Sequence, residues 1–516
     1  MLREAMRLDI LLQALPDARL ISKRGDREAD IHHLAADSRQ VKPGSLFVAI
    51  RGQHSDGHAF LRDAVERGAA AVVVEEAAAR PGLEAPIPII EVKDSRMALA
   101  RLAERFSGSP SSRLGMIGVT GTNGKTTVTC LIQSILQAAG HRAGLFGTLV
   151  YDLAGERLPS THTTPEAHIL QPLLARLVEK GADYAVMEVS SHALALNRVE
   201  GCEFDVAVFT NLTQDHLDFH RTMENYFESK RGLFSGLIQS PRKSRPKRAV
   251  INRDDPWGRR LIETMEAPVW TYGLEDRADL TADGVRSRLE GLAFTAVTPI
   301  GSFAVRSALV GRHNVYNLLA AIGVAIHLEI PQDRIRQGIA SLSGVPGRFE
   351  RLDSGRGFSV IVDYAHTEDA LDRLLQAVSE LTSGRVITVF GCGGDRDPGK
   401  RAPMGRAAAR FSDVVVITSD NPRSEDPVRI MDEVVVGVRE GSAQTKRPVE
   451  WMAVPDRREA IERALGLAHP GDTVVVAGKG HEEYQIIGDQ TIPFNDRQVA
   501  GDWIQRHGSG GRLRGS

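Results

Sequence analysis

The run Gly118-Val119-Thr120-Gly121-Thr122-Asn123-Gly124-Lys125-Thr126-Thr127 holds residue types that together can grip a polyphosphate. Glycines let backbone N–H groups close around phosphate oxygens, and a helix N-terminus adds partial positive charge. A lysine can reach the terminal phosphates, and a threonine hydroxyl can ligate Mg²⁺. The spacing is a shortened G-x-x-G-K-T, because Val119 stands five residues before Gly124, where the longer pattern has glycine. Both flanks supply the context the motif needs. Leu114, Met116, Ile117 and Val119 lead in as an apolar strand, and Val128, Leu131, Ile132, Ile135 and Leu136 recur at helical spacing before Gly140. Strand, glycine loop and helix in that order point to a nucleoside triphosphate.

Other polar groups stand just past apolar runs. The run from Tyr184 ends in Glu188-Val189-Ser190-Ser191-His192, and the run from Phe204 enters Asn211-Leu212-Thr213-Gln214-Asp215-His216. Glu188 is a hard oxygen ligand suited to Mg²⁺ opposite a phosphate loop, and His216 a softer one. Each taken singly also reads as a surface carboxylate and a capping histidine. Asn314 and Asn317 open a helix, where amides often cap. Lys230, in Tyr226-Phe227-Glu228-Ser229-Lys230-Arg231, reads alone as a helix-surface lysine, and the charged run 242–248 as a solvated loop. Farther on, Asp363-Tyr364-Ala365-His366, the glycine-rich run 391–397, Asp420-Asn421-Pro422-Arg423 and Gly478-Lys479-Gly480-His481-Glu482 each follow a strand-like run. They load one end of a sheet with polar groups.

These groups need a scaffold of some size. At 516 residues the chain suggests about three domains. Breaker-rich segments near Ser107–Ser112 and Gly344–Arg348 place boundaries, so that 1–108, 109–345 and 346–516 are the expected units, with 508–516 a flexible tail. The fold class is α/β. A small N-terminal α/β unit precedes a central P-loop parallel sheet with helices on both faces, followed by a Rossmann-like domain. With 64 basic and 66 acidic residues, no global basic field recruits nucleic acid. Three cysteines without a C-x-x-C pair indicate neither a disulfide framework nor a zinc site. The charged N-terminus and the lack of a run of about 18 apolar residues lead us to expect a cytoplasmic protein with no membrane span.

Taken together, Gly121 to Thr127, Glu188 to His192, Asn211 to His216, Asp363 to His366 and Gly347-Arg348 resemble the Mur ligase family over nearly the whole chain. The resemblance implies an ATP-dependent amide ligase with a UDP-binding N-terminal domain, a central ATPase domain and a C-terminal domain for the incoming amino acid. Asp37-Ser38-Arg39 and Asp420 to Arg423 are similar to the members that add meso-diaminopimelate to the D-glutamate γ-carboxylate of UDP-N-acetylmuramoyl-L-alanyl-D-glutamate, in peptidoglycan precursor synthesis.

By that resemblance, Gly121, Thr122, Asn123, Gly124, Lys125, Thr126, Thr127, Asn314, Asn317 and Asp363 bind ATP. Thr126 and Glu188 hold one Mg²⁺, while His216 and a carbamate on Lys230 hold another. Lys125, Lys230, His216 and Arg348 carry the chemistry. Ser38, Gln53, His54, Thr163, Thr164, Ser190 and Arg198 meet the UDP substrate. Arg396, Asp420, Asn421, Pro422, Arg423, Gly478 and Glu482 meet meso-diaminopimelate. The expected partners are these small molecules, and a monomer is expected. A triphosphate-driven switch is a rival class, but no Asn-Lys-x-Asp motif occurs. A lysine-adding enzyme or a folylpolyglutamate synthetase is a nearer rival, against which the first domain and the Asp420-to-Arg423 loop argue.

Overall fold

A computed structural model describes residues 5–21, 28–52, 55–76, 86–237, 243–275, 277–445 and 448–507. Gln53, His54 and the expected tail 508–516 lie outside the described residues.

The central sheet has eight strands. From one edge they are Glu156–Leu158, Tyr151–Leu153, Ala143–Phe146, Tyr184–Glu188, Gly115–Thr120, Val206–Phe209, Arg248–Asn252 and Val269–Tyr272. The last six pair in parallel, and the two edge strands form an antiparallel hairpin. Side chains alternate across the sheet. Ile117 and Val119 enter the core shared with helices Lys125–Ala138 and Arg312–His327, while Met116 enters the core shared with helices Ala167–Glu179 and Met223–Ser235. Coverage of both faces is why these strands read as unbroken apolar runs.

A three-stranded antiparallel sheet, Thr281–Arg288, Gly291–Thr298 and Gly301–Ser307, packs onto the first of those cores through Leu292, Phe294, Ala296, Phe303 and Val305. It delivers the chain to Gly311 and the helix bearing Asn314 and Asn317. Of the run 242–248, expected to be a solvated loop, Ser244, Arg245 and Pro246 are exposed, but its two lysines and Arg248 are not merely solvated. Lys243 and Lys247 place Nζ 2.8 and 2.9 Å from the buried Asp205 carboxylate, and Arg248 begins a strand. Asp205 also accepts from the Met116 backbone at 2.8 Å, so these lysines neutralise an anion that holds the cradle strand in place.

The C-terminal sheet has six strands in the order Glu350–Asp353, Ser359–Asp363, Thr473–Ala477, Val386–Phe390, Val414–Thr418 and Glu450–Val454. All but the first pairing are parallel. Asp363, Gly391, Asp420 and Gly478 therefore emerge at one end. The N-terminal sheet has five strands, Arg19–Leu20, Ile89–Val92, Ala69–Glu75, Ser45–Val48 and His33–Ala35, with an antiparallel first pair. Helix Ser95–Phe106 carries that unit against helix Ala167–Glu179 of the central one. Among the described residues no helix is long and apolar enough to cross a membrane.

Candidate active site

Gly121 and Gly124 take φ of 146° and 89°, in the region that favours glycine. Space is as restrictive as conformation. A Cβ at Gly121 would lie 1.9 Å from Thr210 Oγ1, and one at Gly124 would lie 2.4 Å from Asn317 Oδ1. The loop is thus pressed between a strand end and a helix. Asn211 Oδ1 accepts from the Asn123 backbone N–H at 2.9 Å, and Thr210 Oγ1 donates to the Asn123 carbonyl at 2.6 Å. Thr122 Oγ1 lies 3.1 Å from the Tyr226 hydroxyl. Lys125, the first helical residue, donates from Nζ to the Gly121 and Thr122 carbonyls at 2.8 Å each.

Thr126 donates from Oγ1 to Glu188 Oε2 at 3.0 Å, and the Thr148 backbone N–H donates to Oε1 at 2.8 Å. Glu188 is 1% exposed, so it is no surface carboxylate. Hydroxyl and carboxylate form an oxygen-only donor pair that fits Mg²⁺, which keeps several waters and is shared with substrate phosphates. Among the described residues no group of three or more His, Cys, Asp or Glu is arranged to hold a metal. Phosphate and water oxygens must therefore complete any coordination here.

Lys230 sits on helix Met223–Ser235 and is 1% exposed, which removes the reading as a helix-surface lysine. Its Nζ donates to the Gly121 carbonyl at 2.8 Å and lies 4.4 Å from the centre of the Tyr226 ring. Burial, helped by Lys125, pushes its pKa well below the usual lysine value. Two ammonium groups converge on one carbonyl, so their repulsion adds to burial in favouring the neutral form of Lys230. His216 takes φ of 56° at the start of a short helix, with Nε2 3.3 Å from Asp215 Oδ2 and its ring 4.8 Å from that of His192. Burial lowers its pKa against the pull of Asp215. Tyr226 touches both groups, its ring 6.2 Å from that of His216.

A cleft opens between the central and C-terminal sheets and encloses about 820 Å³ of empty space, its mouth included. Asn123, Gly124, Thr126, Thr127, Asn314 and Asn317 line one side, and Arg348, Asp363 and Arg373 the other. Gly347 has φ of 67°, and a Cβ there would lie 2.3 Å from the His481 nitrogen. That contact fixes Arg348, whose guanidinium sits 4.5 Å above the Tyr364 ring. Asp363 accepts from Phe349 N at 2.6 Å and Ala365 N at 2.7 Å, and burial raises its pKa. It braces the turn carrying Arg348 as well as facing the cleft. Sequence reasoning missed Arg373 in this lining.

Beside Glu188, Thr163 Oγ1 lies 3.1 Å from Thr148 Oγ1, and Thr164 Oγ1 donates to the Glu188 carbonyl at 2.8 Å. Ser190 caps helix Ser191–Ala195 through Ala193 N at 3.2 Å. Arg198 donates to the Thr164 carbonyl at 3.1 Å and pairs with Glu166 at 2.7 Å. Its Nε is buried without a hydrogen-bond partner, and burial lowers its pKa. Ser38 is not part of this group. It lies buried in a 3₁₀ turn of the N-terminal unit, bonded to Asp63.

A second cluster gathers at the C-terminal sheet end. Asn421 Nδ2 donates to Glu482 Oε2 at 3.2 Å, and half-buried Arg423, at φ of 52°, donates to the Gly394 carbonyl at 2.7 Å. Arg396 donates to the Asp395 carbonyl at 3.0 Å. Pro422 contributes backbone, since a Cβ at Gly394 would lie 1.9 Å from its carbonyl oxygen. Gly478, at φ of 118°, leads to Lys479, which ties Asp420, Asn421 and Glu482 together. The run 478–482 drew attention as a motif, but nothing in it said that Lys479 is wholly buried.

Comparison with known proteins meets this geometry part by part. Family models match residues 30–107 (Mur ligase family, catalytic domain), 119–325 (Mur ligase middle domain) and 347–480 (Mur ligase, glutamate ligase domain). A protein of Geobacillus thermodenitrificans named UDP-N-acetylmuramoyl-L-alanyl-D-glutamate--2,6-diaminopimelate ligase is 47% identical over 495 residues, 96% of this chain and 98% of the relative. One of the same name from Gloeobacter violaceus is 48% identical over 508 residues, 98% of this chain and 100% of the relative. A solved structure of a ligase so named has a TM-score of 0.66 at 33% identity, covering 96% of this chain and 98% of its own. The cradle lies in the middle-domain stretch, the cleft is lined from that stretch and the glutamate-ligase one, and the third-domain cluster falls in the latter but for Glu482, so the chain belongs to the Mur ligase family.

Proposed function

We propose that the chain is an ATP-dependent ligase that joins meso-diaminopimelate to the D-glutamate γ-carboxylate of UDP-N-acetylmuramoyl-L-alanyl-D-glutamate. The observation that carries this reading is 47–48% identity, over nearly the full length of both chains, to ligases of that name. The two polar clusters support it, one suited to a triphosphate and one to a zwitterionic amino acid. In this reading 1–108 serves the UDP end, 109–345 ATP and 346–516 the amino acid.

A carboxylate does not react usefully with an amine at neutral pH. ATP therefore transfers its γ-phosphoryl group to the γ-carboxylate, releasing ADP and leaving an acyl phosphate. Lys125 and Arg348 neutralise charge on the phosphoryl oxygens, the loop N–H groups orient them, and Asn314 and Asn317 meet the nucleotide. Arg198, with donors left over from Glu166 and Thr164, meets an acidic part of the UDP substrate, beside Thr163, Thr164 and Ser190. The acceptor amine then attacks the acyl carbon. The C–N bond forms as inorganic phosphate leaves, and the amine gives up a proton. Asp420, Asn421, Arg423 and Glu482 hold the acceptor's other end.

Thr126 and Glu188 are the residues that would hold one Mg²⁺, and His216 with a carbamate on Lys230 a second. Bound there, the ions would supply charge neutralisation on the phosphate oxygens. A buried lysine with a depressed pKa is the form that adds CO₂, giving up a proton. We further propose a cytoplasmic monomer. An ATP-consumption assay across UDP-muramoyl peptides and amino acids tests the whole. Turnover that requires both the dipeptide precursor and meso-diaminopimelate is expected, and ATP hydrolysis indifferent to any acceptor would overturn it.

A further inference from the structure

Lys479 is 0% exposed. Its Nζ lies 2.8 Å from Asn421 Oδ1, 3.0 Å from the Tyr484 carbonyl, 3.1 Å from Asp420 Oδ1 and 3.4 Å from Glu482 Oε2. Burying an ammonium is costly unless its partners compensate, and here the side-chain partners are three of the residues assigned to the acceptor. A purely structural lysine would more simply be an apolar side chain of similar length. The polar groups around Lys479 are also layered. Beneath the cluster, Arg457 is closed off by a 2.7 Å ion pair with Asp496, both fully buried, and donates to the Ala477 carbonyl at 3.0 Å. That pair carries no net charge.

Above it, two carboxylates, Asp420 and Glu482, share the single cation Lys479. One negative charge is left over, and Glu482, the more exposed of the two carboxylates, also accepts from Asn421 Nδ2. Besides Lys479 and Asp420, Glu482 is faced by the Tyr364 hydroxyl at 3.5 Å, by Tyr484, by Arg423 and, from below, by Arg457. His366 acts on Asp420. Burial raises the Glu482 pKa and Lys479 opposes the rise, in keeping with this arrangement.

We propose that Lys479 is a specificity-determining positioning residue of the acceptor site, holding Asp420, Asn421 and Glu482 as one array with a single surplus negative charge for the acceptor's distal ammonium. Arg423 and Arg396, which both approach Gly393, remain for the distal carboxylate. This rests on the proposed acceptor and adds what sets the charge of its site.

The test compares KM values of Lys479→Met with those of the unaltered protein. KM for meso-diaminopimelate should rise tenfold or more, while KM for ATP and for the UDP substrate stays within twofold. Without the lysine, like-charge repulsion raises the carboxyl pKa values, so one group stays protonated at neutral pH and ionises as the pH rises. At neutral pH the variant therefore keeps one negative charge but lacks the cation that holds the array. The second charge returns uncompensated as the pH rises, so the ratio of variant to unaltered KM for the acceptor should grow from pH 7 to pH 9. A second variant, Lys479→Met with Asp420→Asn, holds the surplus at one charge as the pH rises, so it should flatten that pH dependence and bind the acceptor better than the single variant at pH 9. An unchanged acceptor KM, a rise shared by all substrates, or a double variant worse than the single one at every pH overturns the inference. Failure of the unaltered protein to use meso-diaminopimelate would instead overturn the functional reading beneath it.

Discussion

Asn123 on the phosphate loop donates from Nδ2 to Asp369 Oδ2 at 2.9 Å, although the two residues are 246 positions apart and rise from different sheets. The backbone of Asn123 is already held by Thr210 and Asn211 of the central unit. Its side chain makes only a long 3.5 Å contact within that unit, to Thr213 Oγ1, and its short bond comes from outside. Asp369 is fixed in turn by Arg373 Nε at 2.8 Å, and Arg373 lines the cleft. The short bond to the Asn123 side chain is therefore supplied by the C-terminal unit. A hydrogen bond to a charged group contributes about 1.5–3 kcal/mol, so Asp369→Ala should raise KM for ATP by about 10-fold or more while leaving KM for the acceptor unchanged. Asp369→Asn, which keeps an accepting oxygen, should recover most of the loss. ADP release at varied ATP measures both, and equal KM values in all three proteins would show that the contact is idle.

The same contact predicts a change of shape. Gln214 also reaches across, donating to Asp397 at 3.1 Å. Both bonds join the third unit to the second, and an acyl phosphate must be shielded from water, so we expect the third unit to close onto the second as substrates bind. Solution scattering should show a smaller radius of gyration with nucleotide and UDP substrate than without, and a weaker contraction in Asp369→Ala. An identical radius in both states would count against the motion.

Gly121 should tolerate no side chain. Its carbonyl takes both Lys125 and Lys230, and an added Cβ would meet Thr210 Oγ1 at 1.9 Å. Because the sheet beneath is closed by cores on both faces, Gly121→Ala should melt within a few degrees of the unaltered protein yet lose nucleotide binding. Calorimetric titration with ADP decides it, and normal affinity would refute the tight approach.

Lys230→Ala should be nearly inactive. Short carboxylates such as formate or acetate should restore a measurable fraction of activity by standing in for the carbamate oxygens. In the unaltered protein, ¹³C-labelled bicarbonate should give a carbamate resonance that the variant lacks. Absence of that resonance would remove the carbamate from the mechanism.

The parts readable in the sequence were those whose meaning lies in adjacent residues. The cradle declares itself because strand, glycines, lysine and helix are contiguous, and Glu188 because it ends an apolar run. Residues whose role depends on distant partners stayed hidden. Lys243 and Lys247 look like any basic loop until Asp205, about 40 residues earlier, is folded against them. Asp369 and Arg373 lie on the polar face of an amphipathic helix, and nothing local says that this stretch of the face meets another unit. The antiparallel sheet 281–307 was readable from its alternation at Leu292, Phe294, Ala296, Phe303 and Val305, a period-2 signal. It was overlooked because the surrounding pattern is that of a parallel sheet.

The choice of acceptor rests on Arg423. Its left-handed backbone, with N–H donating to the Ile486 carbonyl at 3.2 Å, turns the residue back into the cluster, and its NH1 is spent on the Gly394 carbonyl. The rest of the guanidinium fork is left for an incoming carboxylate, and burial has lowered its pKa, the mark of a cation removed from water. Meso-diaminopimelate brings a distal carboxylate that L-lysine lacks. A guanidinium can hold that group through two parallel N–H···O bonds, while Glu482 takes the ammonium. With lysine bound, Arg423 stays half-buried and unmatched. Sites built to bond a polar group reject analogues lacking it by as much as ~10⁴-fold. Competition between the two amino acids should therefore favour meso-diaminopimelate by at least 100-fold in kcat/KM, and Arg423→Ala should erase most of that preference, chiefly through the KM of meso-diaminopimelate. Equal use of L-lysine by the unaltered protein, or an undiminished preference in the variant, would show that the fork does not read the distal carboxylate.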